Sequence, residues 1–361
     1  MLQRRWILAG CFAILLPAIA SMAQPAQVQN SPGSTQIVLP PSDPFEPVTS
    51  QPEVAETPEA KGVILGLFRR ALQKSAFVAA GFPYTAKISF TASGPVKDVG
   101  AGDMEETRNL AGNRRWMGRL GSFSLTRIIT DRMYDVGSSG EIPFRLNMAR
   151  EYVFGAIPGP ANFVRSTNAT VNGASVTCIL TSVRPTVSAR RDWSEAEYCI
   201  DPHLELVQVY SVAPGIYAIY SYGNLADFHG KIVADHIVIA EAGKVILQGS
   251  ISVRDPDSLD PALFTPTPQM STQGVGLQPP THRTLSRNAA NASASDTSGP
   301  VQPVIVHAIL SPDGSVFEAE ALQTPDAPLS QSAVDLVKKT KYDSSIDYGY
   351  PPQQEIFVTV Q

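Results

Sequence analysis

The chain has 361 residues, of which 43% are hydrophobic, enough for one to three folded domains. Its formal net charge is only −5, so it lacks the global basic field that nucleic-acid binding requires. Its 30 prolines fall in clusters, which marks linkers as well as domains.

The N-terminus reads MLQRRWILAGCFAILLPAIASMAQ. Arg4 and Arg5 form a basic start, Trp6 to Ala20 is apolar, and Ser21-Met22-Ala23 is a small-x-small site. This predicts a secretory signal peptide over 1–23, cleaved after Ala23, and an exported, periplasmic or cell-envelope protein. The alternative is a signal anchor retained in the inner membrane, since the apolar run just reaches spanning length. Residues 24–56 are rich in Pro, Gln, Ser and acids without apolar period, and predict a disordered spacer.

A helix is expected next. Thr57 suits the N-cap, Pro58 the first turn and Gly81 the stop. Ile64, Leu67, Phe68 and Ala71 share one face, opposite Arg69, Arg70 and Lys74. Packing on a sheet is the ordinary reading of that pattern; a membrane-surface helix is the alternative. From Pro83 to Arg254, period-two segments separated by turn signals such as Asn172-Gly173 and Ala242-Gly243 predict strands. One helix interrupts them after Ile142. The fold class is therefore α+β over 57–254, a curved, half-barrel-like antiparallel sheet with one or two helices.

Cys178 and Cys199 lie on adjacent predicted strands of an exported chain, which suits a disulfide stabilising by about 3 kcal/mol; two buried thiols are the alternative. Trp116 with Arg114, Arg115 and Arg119 is the most ligand-like local cluster, fit for an anionic head group, unless Trp116 is simply core. Asp227, His229, Asp235 and His236 are close in sequence, but strand parity sends Asp235 and His236 to opposite faces, so no metal site is expected. Phosphate-loop, dinucleotide and hydrolase motifs are absent. No enzyme and no cofactor are expected.

Residues 255–300 are loaded with Pro, Ser, Ala, Asn and Thr and predict a second disordered linker, within which the short apolar patch Ala262-Leu263-Phe264 is expected to dock on the middle domain. Beyond it, Val304–Leu310 and Val316–Leu322 flank a tight turn at Asp313-Gly314. A helix through Leu329–Val337 and a last strand from Gln354 complete a small tethered β-β-α-β module over 301–361. Eight acids and three bases from Val301 onward account for the whole net charge. His307 alternates with Val304 and Val306, which predicts a solvated histidine.

Two resemblances follow from these residues. The order β-β-α-β with Asp313-Gly314 in the hairpin turn, Tyr342 after the helix and Gly349-Tyr350-Pro351 before the last strand resembles the C-terminal domain of TonB energy transducers. Thr340 and Ser344 depart from that pattern, standing where tryptophan and proline are usual, and the apolar leader lacks the usual histidine. The resemblance implies capture of an envelope protein or outer-membrane receptor peptide by strand addition at an open edge. The edge expected is the last strand, with Glu355, Phe357, Thr359 and Gln361 as its partner-binding residues. The alternative it implies is an anchored transducer driving outer-membrane transport. The segments GDMEETRNLAGNRRWMGRLGSFSLTRIITDRMYDV and EYCIDPHLELVQVYS resemble LolA-type lipoprotein carriers, which implies a concave apolar pocket for a lipid or acyl ligand.

Overall fold

The computed structural model describes residues 57–76, 78–94, 99–138, 142–154, 162–171, 173–182, 191, 193–273, 281–286, 303–322, 327–343 and 354–361. The signal segment and first spacer lie outside them. Among the described residues no helix is long and apolar enough to cross a membrane.

Helix α1 (Pro58–Ser75) opens the described chain, capped as expected by the Thr57 hydroxyl, which accepts from the Ala60 N–H at 3.2 Å. Five antiparallel strands follow: β1 (Tyr84–Ala92), β2 (Gly100–Arg108), β3 (Arg114–Leu120), β4 (Phe123–Ile129) and β5 (Met133–Gly137). Helix α2 (Phe144–Phe154) comes next. The chain then forms β6 (Asn162–Val171), β7 (Ala174–Ser182), β8 (Glu195–Asp201), β9 (Leu206–Ala213) and β10 (Ile216–Ser221). A small ribbon of β11 (Asp227–Phe228) and β12 (Lys231–Ile232) precedes β13 (His236–Glu241) and β14 (Lys244–Arg254). The remaining elements are β15 (Ser271–Gln273), β16 (Thr281–Leu285), β17 (Val304–Leu310), β18 (Val316–Leu322), α3 (Ala327–Lys339) and β19 (Gln354–Val360).

The large sheet has 13 strands in the order β15-β5-β4-β3-β2-β1-β14-β13-β10-β9-β8-β7-β6, curved and unclosed. Its curvature follows from what α2 touches. Leu146 of α2 packs against Gly118 of β3, while Tyr152 of the same helix packs against Tyr210 of β9, ring centres 5.9 Å apart. Those strands stand six places apart in the sheet, about 29 Å on a flat sheet. An 11-residue helix is only about 16 Å long, so the sheet must wrap around it. Helix α1 covers the other part of the inner face, over β8, β9 and β12, with Ile64, Leu67, Phe68 and Ala71 buried. It is a packed helix, as its ordinary reading had it.

Cys178 and Cys199 are directly opposed on β7 and β8 and joined in a disulfide. Their sulfurs lie in a satellite core with Val176, Val209, Tyr217 and Ile219.

The small sheet has the order β16-β19-β17-β18. Val304, Val306, Ala308, Ile356, Val358 and Val360 pack with Ala333, Val334 and Val337 of α3 in a core of their own. The opposite face, with Ile305, Leu322 and Phe357, docks on Ala213 and Ile216 of the large sheet. Gly215, at φ +80°, permits that approach, since a Cβ there would stand 2.8 Å from the Cβ of Leu322.

Two expectations are corrected here. Phe264, in the patch expected to dock, is buried, but the segment read as a disordered linker also carries the strand β15 paired with β5 and the strand β16 paired in parallel with β19. Its composition hides these pieces because each is only three to five residues long. As a result β19 is no edge. It lies between β16 and β17, and the open-edge mechanism that the TonB resemblance implied loses its edge.

Reducing the disulfide should lower stability by about 3 kcal/mol, the chain-entropy value for a sequence separation of 21. Urea unfolding with and without reductant measures it, as a lower midpoint at unchanged slope.

Candidate functional site

The inner face of the large sheet and the seam where the small sheet docks meet at one element, α2. Its first six residues, Phe144, Arg145, Leu146, Asn147, Met148 and Ala149, are all buried, so the helix lacks a solvent face there. Gly118 makes its seat. A Cβ at that position would lie 2.8 Å from Trp116 and 3.2 Å from Leu146, and the missing side chain leaves a slot that Leu146 fills.

Trp116 is fully buried beside that slot. It points inward with Gly118 and Leu120, and alternation sends Arg115 and Arg119 to the outer face, where Arg119 pairs with Asp103 at 2.8 Å. The cluster of Arg114, Arg115, Trp116 and Arg119 is therefore split across the sheet. The arginines that approach the indole come from elsewhere. Arg127, its cross-strand neighbour on β4, has its guanidinium carbon 5.4 Å from the ring centre, and Arg150 of α2 lies at 5.9 Å.

Both guanidinium groups are neutralised in place. Arg127 makes two bonds to Asp135, at 2.7 and 2.6 Å. Arg150 bonds Glu106 at 2.8 Å, and Glu106, fully buried, also accepts from the Tyr84 hydroxyl at 2.6 Å. Burial and the Glu106 charge push the Tyr84 phenol far above its ordinary range. Two donors in this group have no acceptor, Trp116 Nε1 and Arg150 Nε.

At the other end of α2, charges bridge the two sheets. Arg145 bonds Glu318 of β18 at 2.6 Å and lies 3.8 Å from Glu241 at the end of β13. Glu241 in turn accepts from His307 Nδ1 of β17 at 2.5 Å, and His307 Nε2 bonds Glu355 of β19 at 2.9 Å. The imidazole sits between the rings of Phe144 and Phe357, 5.9 and 5.2 Å away. Burial alone would lower the His307 pKa, but the Glu241 charge and the bonds to both carboxylates outweigh it and hold the ring protonated to about 10. Burial works against Glu241 as well, yet His307 and Arg145 keep its carboxyl below the usual range. Burial raises Glu318 despite Arg145. Arg145 Nη1 is a third donor without an acceptor.

His307 is thus 2% exposed rather than solvated. Its parity was legible; the acid that meets it lies 66 residues away. The residues expected to bind an external partner are used inside the chain. Glu355 holds His307, and Phe357 packs on Ile216 and on Trp193. Thr359 bonds His282, and the Gln361 N–H donates to the Leu285 carbonyl. Trp193 also stacks flat on His282, ring centres 4.6 Å apart. Asp313 shapes the hairpin turn by accepting from the Ser315 N–H at 3.0 Å, with Gly314 at φ +80°.

The histidine group does not converge. His229 pairs with Asp255, and His236 with Asp235. Cys178, Glu197 and Cys199 are close enough together for a metal, but the sulfurs are bonded to each other. Arg191 is buried against Glu197 and Ser211; Arg184 and Arg190 lie outside the described residues.

No family model matches the chain, and no curated protein matches it. Among solved structures it is similar to a LolA-superfamily protein from Nitrosomonas europaea, with 10% identity, 55% of this chain and 96% of that one covered, and a TM-score of 0.35. It is similar to a DUF1329-family protein from Desulfovibrio piger, with 11% identity, coverages of 56% and 96%, and a TM-score of 0.36. It is also similar to a chain of the MucA/MucB complex of Pseudomonas aeruginosa, with 9% identity, coverages of 58% and 63%, and a TM-score of 0.25. At these scores no function is carried over from them.

His307 makes stability depend on pH. Its folded pKa, about 10, exceeds the ordinary 6.5, so its contribution is complete below about 6.5 and is lost as the pH rises through about 10. Glu241 acts in the opposite sense, its share being lost as the pH falls below its ordinary 4.5. Urea midpoints should therefore fall steadily across the alkaline window. His307→Gln should lose up to about 3 kcal/mol at neutral pH, by removing one of the two cations that face buried Glu241, Arg145 remaining, and should flatten that slope.

Proposed function

We propose that this is an exported, non-catalytic cell-envelope protein that holds a lipidic ligand on the inner face of its curved sheet. The small sheet and α2 act as the cover of that face. The reading rests on α2. A helix buried through its first six residues, carrying Arg145 and Asn147 into the interior, is an unusual filling for an aliphatic and aromatic concavity. Three donors on it or directly beneath it lack acceptors, and each costs about 1–3 kcal/mol while it stays so. A cover with that handicap is cheaper to displace than a well-satisfied core helix.

The face it would uncover is continuous. Met104, Leu120, Leu125, Tyr198, Tyr210 and Tyr220 belong to one apolar cluster, the lining that an acyl chain needs. The tyrosine hydroxyls there are poor acids and poor nucleophiles. Burial raises all three well above the ordinary range, with Tyr210 at about 12. That favours holding a ligand over converting it.

Protein purified from the envelope without detergent should carry one acyl lipid per chain by native mass spectrometry. After delipidation it should rebind a fluorescent fatty-acyl probe and release it with unchanged mass. Folded, cooperatively melting protein that neither carries a lipid nor binds the probe would overturn the reading.

A further inference from the structure

We propose that Trp116 Nε1 and Arg150 Nε are the donors for an ester carbonyl, so that the ligand class of the inner face is a neutral acyl ester, such as an acylglycerol. This rests on the reading above that the inner face takes a lipid, and it adds which lipid and which atoms.

Three observations carry it. The first is the pair of donors itself. Buried indole N–H groups ordinarily have a partner, and here both the indole of a fully buried tryptophan and the Nε–H of the arginine beside it have none. A carbonyl oxygen has two lone pairs and can accept from both.

The second is charge. The two cations against the indole already face carboxylates, Arg127 facing Asp135 and Arg150 facing both Glu106 and Glu151. A carboxylate or phosphate head group would add a buried charge without a counter-charge, which is strongly disfavoured. What the site lacks is an acceptor, and an ester carbonyl supplies that without charge. The arginine pair around an aromatic ring therefore points away from the anionic head group that arginine and tryptophan first suggest.

The third is the slot. Leu146 fills the space above Gly118, in contact with the same strand that carries Trp116. An acyl chain has the cross-section of that leucine side chain. A ligand that displaces the Leu146 side chain alone, α2 keeping Arg150 in place, would run its methylenes over Gly118 with its ester at Trp116, and Met104, Leu120 and Leu125 lie in the same apolar cluster.

The test compares dioctanoylglycerol with its dioctyl ether, which has the same chains and no carbonyl, and with octanoate, which carries a charge. Binding is measured by calorimetry on the delipidated full chain. The indole N–H resonance of Trp116 is followed in the nitrogen–proton spectrum and assigned by its persistence in the double variant Trp6→Phe, Trp193→Phe. The ester should bind about a hundredfold tighter than the ether, the increment of two good hydrogen bonds. It alone should shift the Trp116 resonance downfield. Trp116→Phe should lower ester affinity about tenfold and so narrow the gap between ester and ether, the Arg150 donor remaining; the wild-type comparison stands even where that variant fails to fold. Equal affinity for ester and ether, or tighter binding of octanoate, would overturn the ester assignment and leave lipid binding intact. Failure of all three to bind would remove both.

Discussion

A sheet of 13 strands cannot remain flat. Strand twist accumulates, and open sheets beyond about ten strands curl. Everything else in this protein answers that constraint. Curling gathers the inward residues of β1 to β14 into one concave apolar face, and that face has to be covered. Helix α1 covers one part with an ordinary amphipathic surface. Helix α2 fills the centre and is flanked by strands on both sides, which explains why it shows no polar stripe. The small sheet closes the end of the seam, with its own helix on one face and the large sheet on the other.

The polar groups brought inside by this arrangement are treated unequally. Along the seam between the sheets, His307, Glu241 and Glu355 satisfy one another. Such a network contributes less to net stability than to uniqueness of docking, since breaking it strands a charge. Around Trp116 the charges are balanced but the donors are not. The seam is not wholly satisfied either, since Arg145 Nη1 has no acceptor there.

The large-scale architecture was legible in the sequence because period-two alternation, turn glycines and the Thr57-Pro58 start are local signals. The disulfide was legible for the same reason, its cysteines lying on consecutive strands. The Trp116–Arg127 pair could have been read by counting back from the two-residue turn Gly121-Ser122, which sets Leu120 against Phe123 and hence Trp116 against Arg127. The docking seam could not. Arg145, Glu241 and His307 come from three distant segments, and nothing local to any of them names the others. The edge position expected of Phe357 and Glu355 was not legible, because β16, which pairs with their strand, rises from a segment whose composition signals disorder.

The shortest strand of the large sheet has a separate consequence. Ser271–Gln273 lies along β5, whose outward row of N–H and C=O groups would otherwise offer a template to any extended chain. Three residues suffice to occupy that row and too few remain to offer a long one in turn. Strand addition at this border of the sheet is thereby discouraged by the part of the chain that looks most expendable.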